Sequence, residues 1–339
     1  MNSSETPLPF TRRTFLKTTA AATLATGLRT SARAADPSHS GIPYRTLGST
    51  GERVSCIGLG GYHIGTQLLE SESIKIVRTA LDSGINFLDN SWDYNGGQSE
   101  IRMGKALLDG YRDKAFLMTK IDGRSKAVAA RQIDESLQRF QVSHVDLMQF
   151  HEVIYTTDPD RIFAPGGAIE AMLDAKKAGK IRYIGFTGHK SPEIHLKMLA
   201  TAAAHDFKLD TVQMPINVMD AHFDSFAAKV LPALAKAGVG ALGMKPLGGT
   251  VILRSRTVTP IECLQYALST SVDVVITGMD SMDILNQALQ TAHNFKPLSE
   301  TELAAILAKT APVAQSGQFE LYKTTTNFDS NPRQPQDFS

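Results

Sequence analysis

Short apolar runs recur along the chain, with amphipathic stretches between them. Eight runs read as strands: Cys56–Leu59, Asn86–Asp89, Ala115–Thr119, Val145–Phe150, Tyr183–Thr187, Thr211–Met214, Ala241–Lys245 and Val274–Thr277. They are near-continuous stretches of Val, Ile, Leu, Phe and Met rather than strict alternations, as in a parallel sheet covered by helices. Between them, apolar positions fall at helical spacing. Ser71–Ser83 puts Ile74, Val77 and Leu81 on one face, and Ser99–Asp109 carries Ile101, Met103, Leu107 and Leu108. The remaining helices are expected at Lys126–Phe140, Gly167–Gly179, Pro192–His205, Ser225–Ala237, Pro260–Ser269 and Met282–His293. Gly84, Gly179 and Gly238 stand just past helix ends, where a left-handed C-cap favours glycine. Thr259-Pro260 places a proline at a first helical position.

Eight strand–helix pairs within roughly 240 residues predict one (β/α)8 TIM barrel. The rival is a doubly wound dinucleotide fold, whose first turn reads G-x-G-x-x-G. Here the turn is Gly58-Leu59-Gly60-Gly61-Tyr62-His63, and His63 takes the third glycine's place. Tyr44–Val54, with Gly48 and Gly51 between short apolar runs, predicts an N-terminal β-hairpin before the first strand. Ser299–Thr310 predicts an extra C-terminal helix, and the polar stretch Thr324–Ser339 an extended C-terminal tail. The long connection Glu152–Ala168 is expected to form one wall of a pocket.

The first residues follow different rules. Thr11-Arg12-Arg13-Thr14-Phe15-Leu16-Lys17 is basic, Thr18–Leu28 is weakly apolar, and Ala32-Arg33-Ala34 is a small-residue cleavage site. This order is that of a signal peptide, and the paired arginines resemble a twin-arginine export signal. The apolar part is too short to span a bilayer, so no transmembrane span is expected in the mature protein. Domain expectations are therefore a signal at 1–34, a barrel at 35–323 and a tail at 324–339.

Composition narrows the class. The chain has 339 residues, 42% hydrophobic and 20% charged, with a formal net charge of +1. This excludes a disordered chain, a coiled coil and a polytopic membrane protein, and it gives no nucleic-acid footprint. Loss of residues 1–34 removes five basic side chains and one acidic one, which takes the net charge from +1 to −3. Cys56 and Cys263 lie far apart and form no CxxC, so neither a disulfide framework nor a thiolate zinc site is expected. Such a chain suits folding in the cytoplasm before export.

In a barrel, chemistry gathers at the carboxyl ends of the strands. The second strand ends at Asp89, with Tyr94 following. The third ends Thr119-Lys120 and the fourth ends at His151. No G-x-S-x-G, H-x-H or H-E-x-x-H is present, so neither a serine nucleophile nor a histidine-based metal site is expected. A tyrosine has an ordinary pKa near ~10, and an adjacent lysine ammonium favours its phenolate. An aspartate holds that lysine, and a histidine donates to a carbonyl oxygen. Together they protonate a carbonyl oxygen or deprotonate an alcohol, which is half of a reductase; nicotinamide hydride is the other half.

At these residues the sequence resembles the aldo/keto reductases. The likeness runs from about Tyr44 to Lys323. It rests on Phe87-Leu88-Asp89-Asn90-Ser91-Trp92-Asp93-Tyr94, Gly97-Gln98-Ser99-Glu100, Met103-Gly104-Lys105-Ala106-Leu107, the run from Ser136-Leu137 through Val145-Asp146-Leu147 to His151, and Ile181-Arg182-Tyr183-Ile184-Gly185-Phe186-Thr187. The resemblance implies Tyr94 as general acid and base, Lys120 lowering its pKa, Asp89 pairing with Lys120, and His151 orienting the carbonyl. It also implies a nicotinamide cofactor, NADP(H) or NAD(H), bound at Gly61, Thr187, Gly188, Gln213, Lys245, Pro246, Leu247, Gly248, Gly278 and Asp280. The family's Ser-Asn pair for the carboxamide is replaced by Thr187-Gly188, followed by His189. After the eighth strand, where basic residues usually hold the 2′-phosphate of NADPH, the chain reads Thr277-Gly278-Met279-Asp280-Ser281-Met282-Asp283. Acids there disfavour a phosphate and suit a free ribose hydroxyl, although Arg254 and Arg256 supply charge nearby. The implied partners are a small carbonyl or alcohol substrate, a sugar among them, and the twin-arginine export machinery. The implied location is the periplasm. Two other readings stand beside this one: a non-catalytic cofactor-binding family member, and a metal-dependent barrel hydrolase or isomerase. Tyr62, His63 and Trp92 are expected to line the substrate pocket.

Overall fold

The computed structural model describes residues 41–330. The expected export signal lies outside the described residues, as do the last nine positions of the tail.

A hairpin of β1 (Tyr44–Thr46) and β2 (Arg53–Ser55) comes first, antiparallel with Arg45 opposite Val54. Eight parallel strands follow: β3 (Ile57–Gly60), β4 (Phe87–Asp89), β5 (Phe116–Ile121), β6 (Val145–Phe150), β7 (Ile181–Thr187), β8 (Thr211–Pro215), β9 (Gly240–Met244) and β10 (Val274–Gly278). They close in sequence order, with β10 pairing both β9 and β3. The fold is the predicted TIM barrel, and each strand lies within a few residues of its apolar run.

The barrel interior is filled by Phe87, Phe116, Met118, Leu147, Leu242, Val274 and Ile276. Leu47 and Val54 of the hairpin join this cluster and plug the amino-terminal end of the barrel. Outward-facing strand residues such as Leu88, Leu117, Met148 and Ile184 pack with helix residues such as Ile76, Met103, Ile133 and Met172. Burial of such side chains contributes about 1.5–3 kcal/mol each, which sets the barrel's closure. Helix ends follow the local chemistry. Gly84, Gly179 and Gly238 all have positive φ (95°, 74° and 64°), and Thr259 with Glu262 forms a capping box ahead of Pro260.

Three stretches differ from the pattern. The expected helix Ser225–Ala237 is two pieces, Phe226–Lys229 and Leu231–Ala237, with Pro232 in the first turn of the second. A proline there has no N–H for a continuous ladder. The connection Glu152–Ala168 contains a short helix, Asp158–Phe163. The C-terminal helix runs to Ala314, and a single turn, Leu321–Thr324, follows. Residues 325–330 then lie against the barrel. Asp329 accepts from His189 Nε2 at 3.0 Å and pairs with Lys190 at 2.9 Å, and the Ser330 N–H donates to Glu152. Among the described residues, no helix is long and apolar enough to cross a membrane.

Candidate active site

The four expected catalytic side chains meet at the carboxyl end of the barrel. Asp89 ends β4, Lys120 is the penultimate residue of β5, and His151 follows β6 directly. Tyr94 opens a tight turn, Tyr94–Gly97, in which Asn95, Gly96 and Gly97 all have positive φ. The Lys120 side chain is 1% exposed. Its Nζ donates to Asp89 Oδ1 (2.6 Å), to the Asn90 carbonyl (2.6 Å) and to the Tyr94 hydroxyl oxygen (3.2 Å). An ammonium has three hydrogens, and these acceptors use all of them. Tyr94 is thus an acceptor toward Lys120, and its own hydrogen remains available to a substrate. The His151 ring stands edge-on to Tyr94, with centroids 5.8 Å apart.

The electrostatics differ from expectation in one respect. Burial and the carboxylates Asp89, Asp93, Glu152 and Asp122 push the Tyr94 hydroxyl well above its ordinary pKa of 10. The Lys120 charge was expected to pull it down. Asp89, which pairs with Lys120, is the first of the carboxylates that favour the neutral phenol. The buried phenol keeps its proton. Burial works against a charge on His151, but Asp93, Asp122 and Glu152 outweigh it and hold its pKa above 6.5. Burial lifts the Glu152 carboxyl to about 7.

The residues that surround His151 were not singled out in the sequence. Asp122 Oδ1 lies 2.9 Å from His151 Nδ1. Arg124 donates to the carbonyls of Asp122 (2.8 Å), His151 (2.7 Å) and Glu152 (2.9 Å), and pairs with Asp158 at 3.1 Å. One signal was available for Asp122. It stands two residues after Lys120, so strand alternation sends both side chains to the same side. No local signal marks Arg124, because most of its partners come from the end of the next strand and the connection after it.

Two residues expected to line the pocket have close protein neighbours. Trp92 is tied outward: its Nε1–H donates to Glu135 at 2.6 Å, and the Arg139 guanidinium lies 5.2 Å from its ring. This is a packing role on the helix Lys126–Phe140. The His63 ring lies directly over Gly278, where any Cβ would collide with it.

The expected cofactor residues also sort themselves. Gln213 Oε1 is buried without a hydrogen-bond partner among the described residues, and its Nε2 is 3.5 Å from Asp89 Oδ2. A buried orphan acceptor at this depth suits an amide donor from a ligand. Thr187 ends β7 beside Met244. After β9, Lys245, Gly248 and Gly249 all have positive φ (54°, 59° and 64°) and form a tight turn with Pro246 and Leu247. Lys245 Nζ lies 5.8 Å from the Tyr322 ring and 5.7 Å from that of Phe328. Gly61 and Gly188 are glycines for packing reasons. A Cβ on Gly61 would strike the Asp89 carbonyl, and one on Gly188 the Val153 carbonyl. An asparagine has no room at 188. Asp280 is exposed, and its backbone carbonyl accepts from Gln67 at 2.7 Å.

Asp93, Asp122 and His151 bring donor atoms within 4.8 Å of one another. The 2.9 Å separation of His151 Nδ1 from Asp122 Oδ1 is a hydrogen-bond length. A tetrahedral zinc held by both would part them by about 3.3 Å. Asp122 and His151 are a hydrogen-bonded pair, and Asp93 joins them through Ser91.

Comparison with known proteins agrees with this architecture. A sequence model of the Aldo/keto reductase family matches residues 56–262, and one of the twin-arginine translocation signal matches residues 9–28. The chain is 33% identical over 220 residues to an L-galactose dehydrogenase of Arabidopsis thaliana, spanning 61% of this chain and 66% of that one. It is 32% identical over 206 residues to an aldo-keto reductase of Bacillus subtilis, spanning 56% of this chain and 58% of that one. The matched part is thus under two thirds of either relative. Among solved structures, the holo form of an aldo-keto reductase from Bacillus halodurans superposes with a TM-score of 0.67 at 25% identity, covering 79% of this chain and 96% of that one. Eight parallel strands closed in order, a Tyr–Lys–Asp–His cluster at their carboxyl ends and a family match over most of the barrel lead to one assignment: this chain belongs to the aldo/keto reductase family, and it carries a twin-arginine signal sequence.

Proposed function

We propose that this protein is a nicotinamide-dependent oxidoreductase that interconverts a carbonyl compound and its alcohol, with Tyr94 as the proton donor. The observation that carries this reading is the Lys120 ammonium, whose three hydrogens are spent on Asp89, Asn90 and the Tyr94 oxygen. Lys120 fixes the phenol and leaves its hydrogen for a carbonyl oxygen. Once that proton is given, the ammonium at 3.2 Å steadies the phenolate. Asp89 holds Lys120 in place, and His151 points a second donor at the same oxygen.

The residues present suit a nicotinamide cofactor. The orphaned Gln213 oxygen would accept from its carboxamide, with Thr187 beside it. The turn Lys245-Pro246-Leu247-Gly248 would receive the diphosphate, with Lys245, Gly248 and Gly249 in the left-handed region that shapes such a cradle. When bound, the cofactor supplies or accepts the hydride. Gly278 and the exposed Asp280 would lie toward the ribose, which favours NADH over NADPH by charge. The substrate is a small carbonyl or alcohol. The relative named as an L-galactose dehydrogenase makes sugars the first to screen. Export through the twin-arginine machinery would deliver the enzyme to the periplasm.

Tyr94→Phe tests the assignment. Cofactor binding is retained and carbonyl reduction falls by at least ~10²-fold; unchanged turnover refutes it. Titration of both cofactors on the parent protein tests the preference, and NADPH binding more than ~tenfold tighter refutes the charge argument.

A further inference from the structure

His151 sits in an environment that dictates where its hydrogens go. Around Nδ1 stand Asp122 Oδ1 at 2.9 Å, Ser91 Oγ at 3.3 Å and Asp93 Oδ1 at 3.5 Å. The Ser91 hydroxyl donates to Asp93 at 2.6 Å, so it offers only lone pairs to the ring. Every neighbour of Nδ1 is therefore an acceptor, and Nδ1 must carry a hydrogen. A neutral ring with that hydrogen has a bare Nε2, which accepts and cannot donate. A carbonyl oxygen needs a donor there. Among the described residues Nε2 makes no hydrogen bond, so none of them competes for it.

We propose that Asp122 is a positioning residue that keeps hydrogens on both nitrogens of His151, so that Nε2–H donates to the substrate's carbonyl oxygen beside Tyr94. This rests on the assignment of Tyr94 and His151 given above. The geometry is built to hold it. Asp122 is fully buried, and its backbone N–H and that of Gly123 donate to Gln132 Oε1 at 2.9 and 2.8 Å. Arg124 fixes the carbonyls on both sides of the contact, those of Asp122 and His151. Asp122 Oδ2 has no hydrogen-bond partner among the described residues, so the carboxylate's side-chain hydrogen bond is the one to His151.

The charged and titratable groups facing His151 are Asp93 and Tyr94 from the turn after β4, Asp122 and Arg124 after β5, and Glu152 after β6. Three are carboxyls, and the one cation is bound to backbone carbonyls and to Asp158. Burial penalises the imidazolium, yet the carboxylates prevail. With the Nδ1 hydrogen directed at Asp122, the hydrogen on Nε2 is kept for as long as the ring stays charged. Two donors, a phenol and an imidazole N–H, would then meet one carbonyl oxygen.

The test is nitrogen NMR of the full chain labelled with 15N-histidine, with His151 assigned by loss of its signals in His151→Gln. In the parent, both ring nitrogens stay protonated above the ordinary histidine pKa. In Asp122→Asn, the second proton leaves ~1 unit or more lower. With glyceraldehyde as the probe substrate, the kcat of reduction at pH 8 falls about tenfold in Asp122→Asn, its alkaline limb moves down with the NMR transition, and cofactor Kd stays within about twofold. Loss of the second proton at the ordinary pH in the parent, or at the same pH in both proteins, overturns the proposal. Should Asp122→Asn not fold, the parent titration alone still decides. If His151 behaves as expected while Tyr94→Phe keeps its turnover, it is the Tyr94 assignment that fails.

Discussion

Arg124 is the residue whose removal the structure prices most directly. Its side chain is 2% exposed, and that of its partner Asp158 is 3% exposed. Consider Arg124→Met, which keeps most of the apolar stem and deletes the guanidinium. Breaking a buried ion pair from one side costs about 3–5 kcal/mol, since the other charge stays buried. Asp158 keeps two backbone donors, from Ile154 and Tyr155, both at 3.0 Å on Oδ2, which places this part near the lower limit. The carbonyls of Asp122, His151 and Glu152 each lose a charged donor. Water from the barrel mouth replaces some of these bonds, so they add about 1 kcal/mol in all. The sum is about 4 kcal/mol. At roughly 2 °C per kcal/mol for a domain above 250 residues, the melting temperature drops by about 8 °C. Thermal unfolding followed by circular dichroism reads this directly. Lys126→Met is the control: Lys126 pairs with Glu170 at 3.3 Å and Asp174 at 2.9 Å on an exposed face, and its loss leaves the melting temperature in place. A drop below about 2 °C for Arg124→Met would refute the ledger and with it the view that Arg124 clamps the end of β6.

Two further outcomes follow from the titrating groups. On the proposed mechanism alcohol oxidation needs Tyr94 as phenolate, and burial among carboxylates holds its pKa well above 10. Oxidation should therefore climb steadily from pH 7 to pH 10 while reduction shows no matching gain. A plateau in oxidation below pH 9 contradicts this. Glu152 is raised from 4.5 to about 7, so the folded state holds its proton longer than the unfolded chain does. Its contribution to stability is present below about pH 4.5 and is lost as pH rises to about 7. Glu152→Gln should flatten that part of the stability curve; a parent-minus-variant difference that does not change across this window rules out the shift.

Much of the molecule is written in local patterns. A β-strand buried on both faces is apolar nearly throughout, so the eight barrel strands could be found one at a time, and their alternation with eight helices pointed to a closed barrel. The strand ends then named Asp89, Lys120 and His151, because a barrel collects its chemistry at that face. Tyr94 was reached by its distance from Asp89, not by any pattern of its own. The N-terminal signal was legible as an ordered series of basic, apolar and small residues.

What the sequence determined by itself is therefore most of the elements, and the four side chains that meet at the carboxyl end of the barrel. What only the tertiary structure decided is their electrical state. Whether Lys120 lowers the pKa of Tyr94 depends on Asp89, Asp93, Asp122 and Glu152, which arrive from three different strand ends. The same applies to Gly188, whose missing side chain is explained by the Val153 carbonyl beside it, and to Trp92, drawn outward by Glu135. The physical reason is range. Secondary structure and strand burial are set by neighbours a few positions away, while a pKa, a steric limit or a buried ion pair is a sum over groups that only folding brings within a few ångströms.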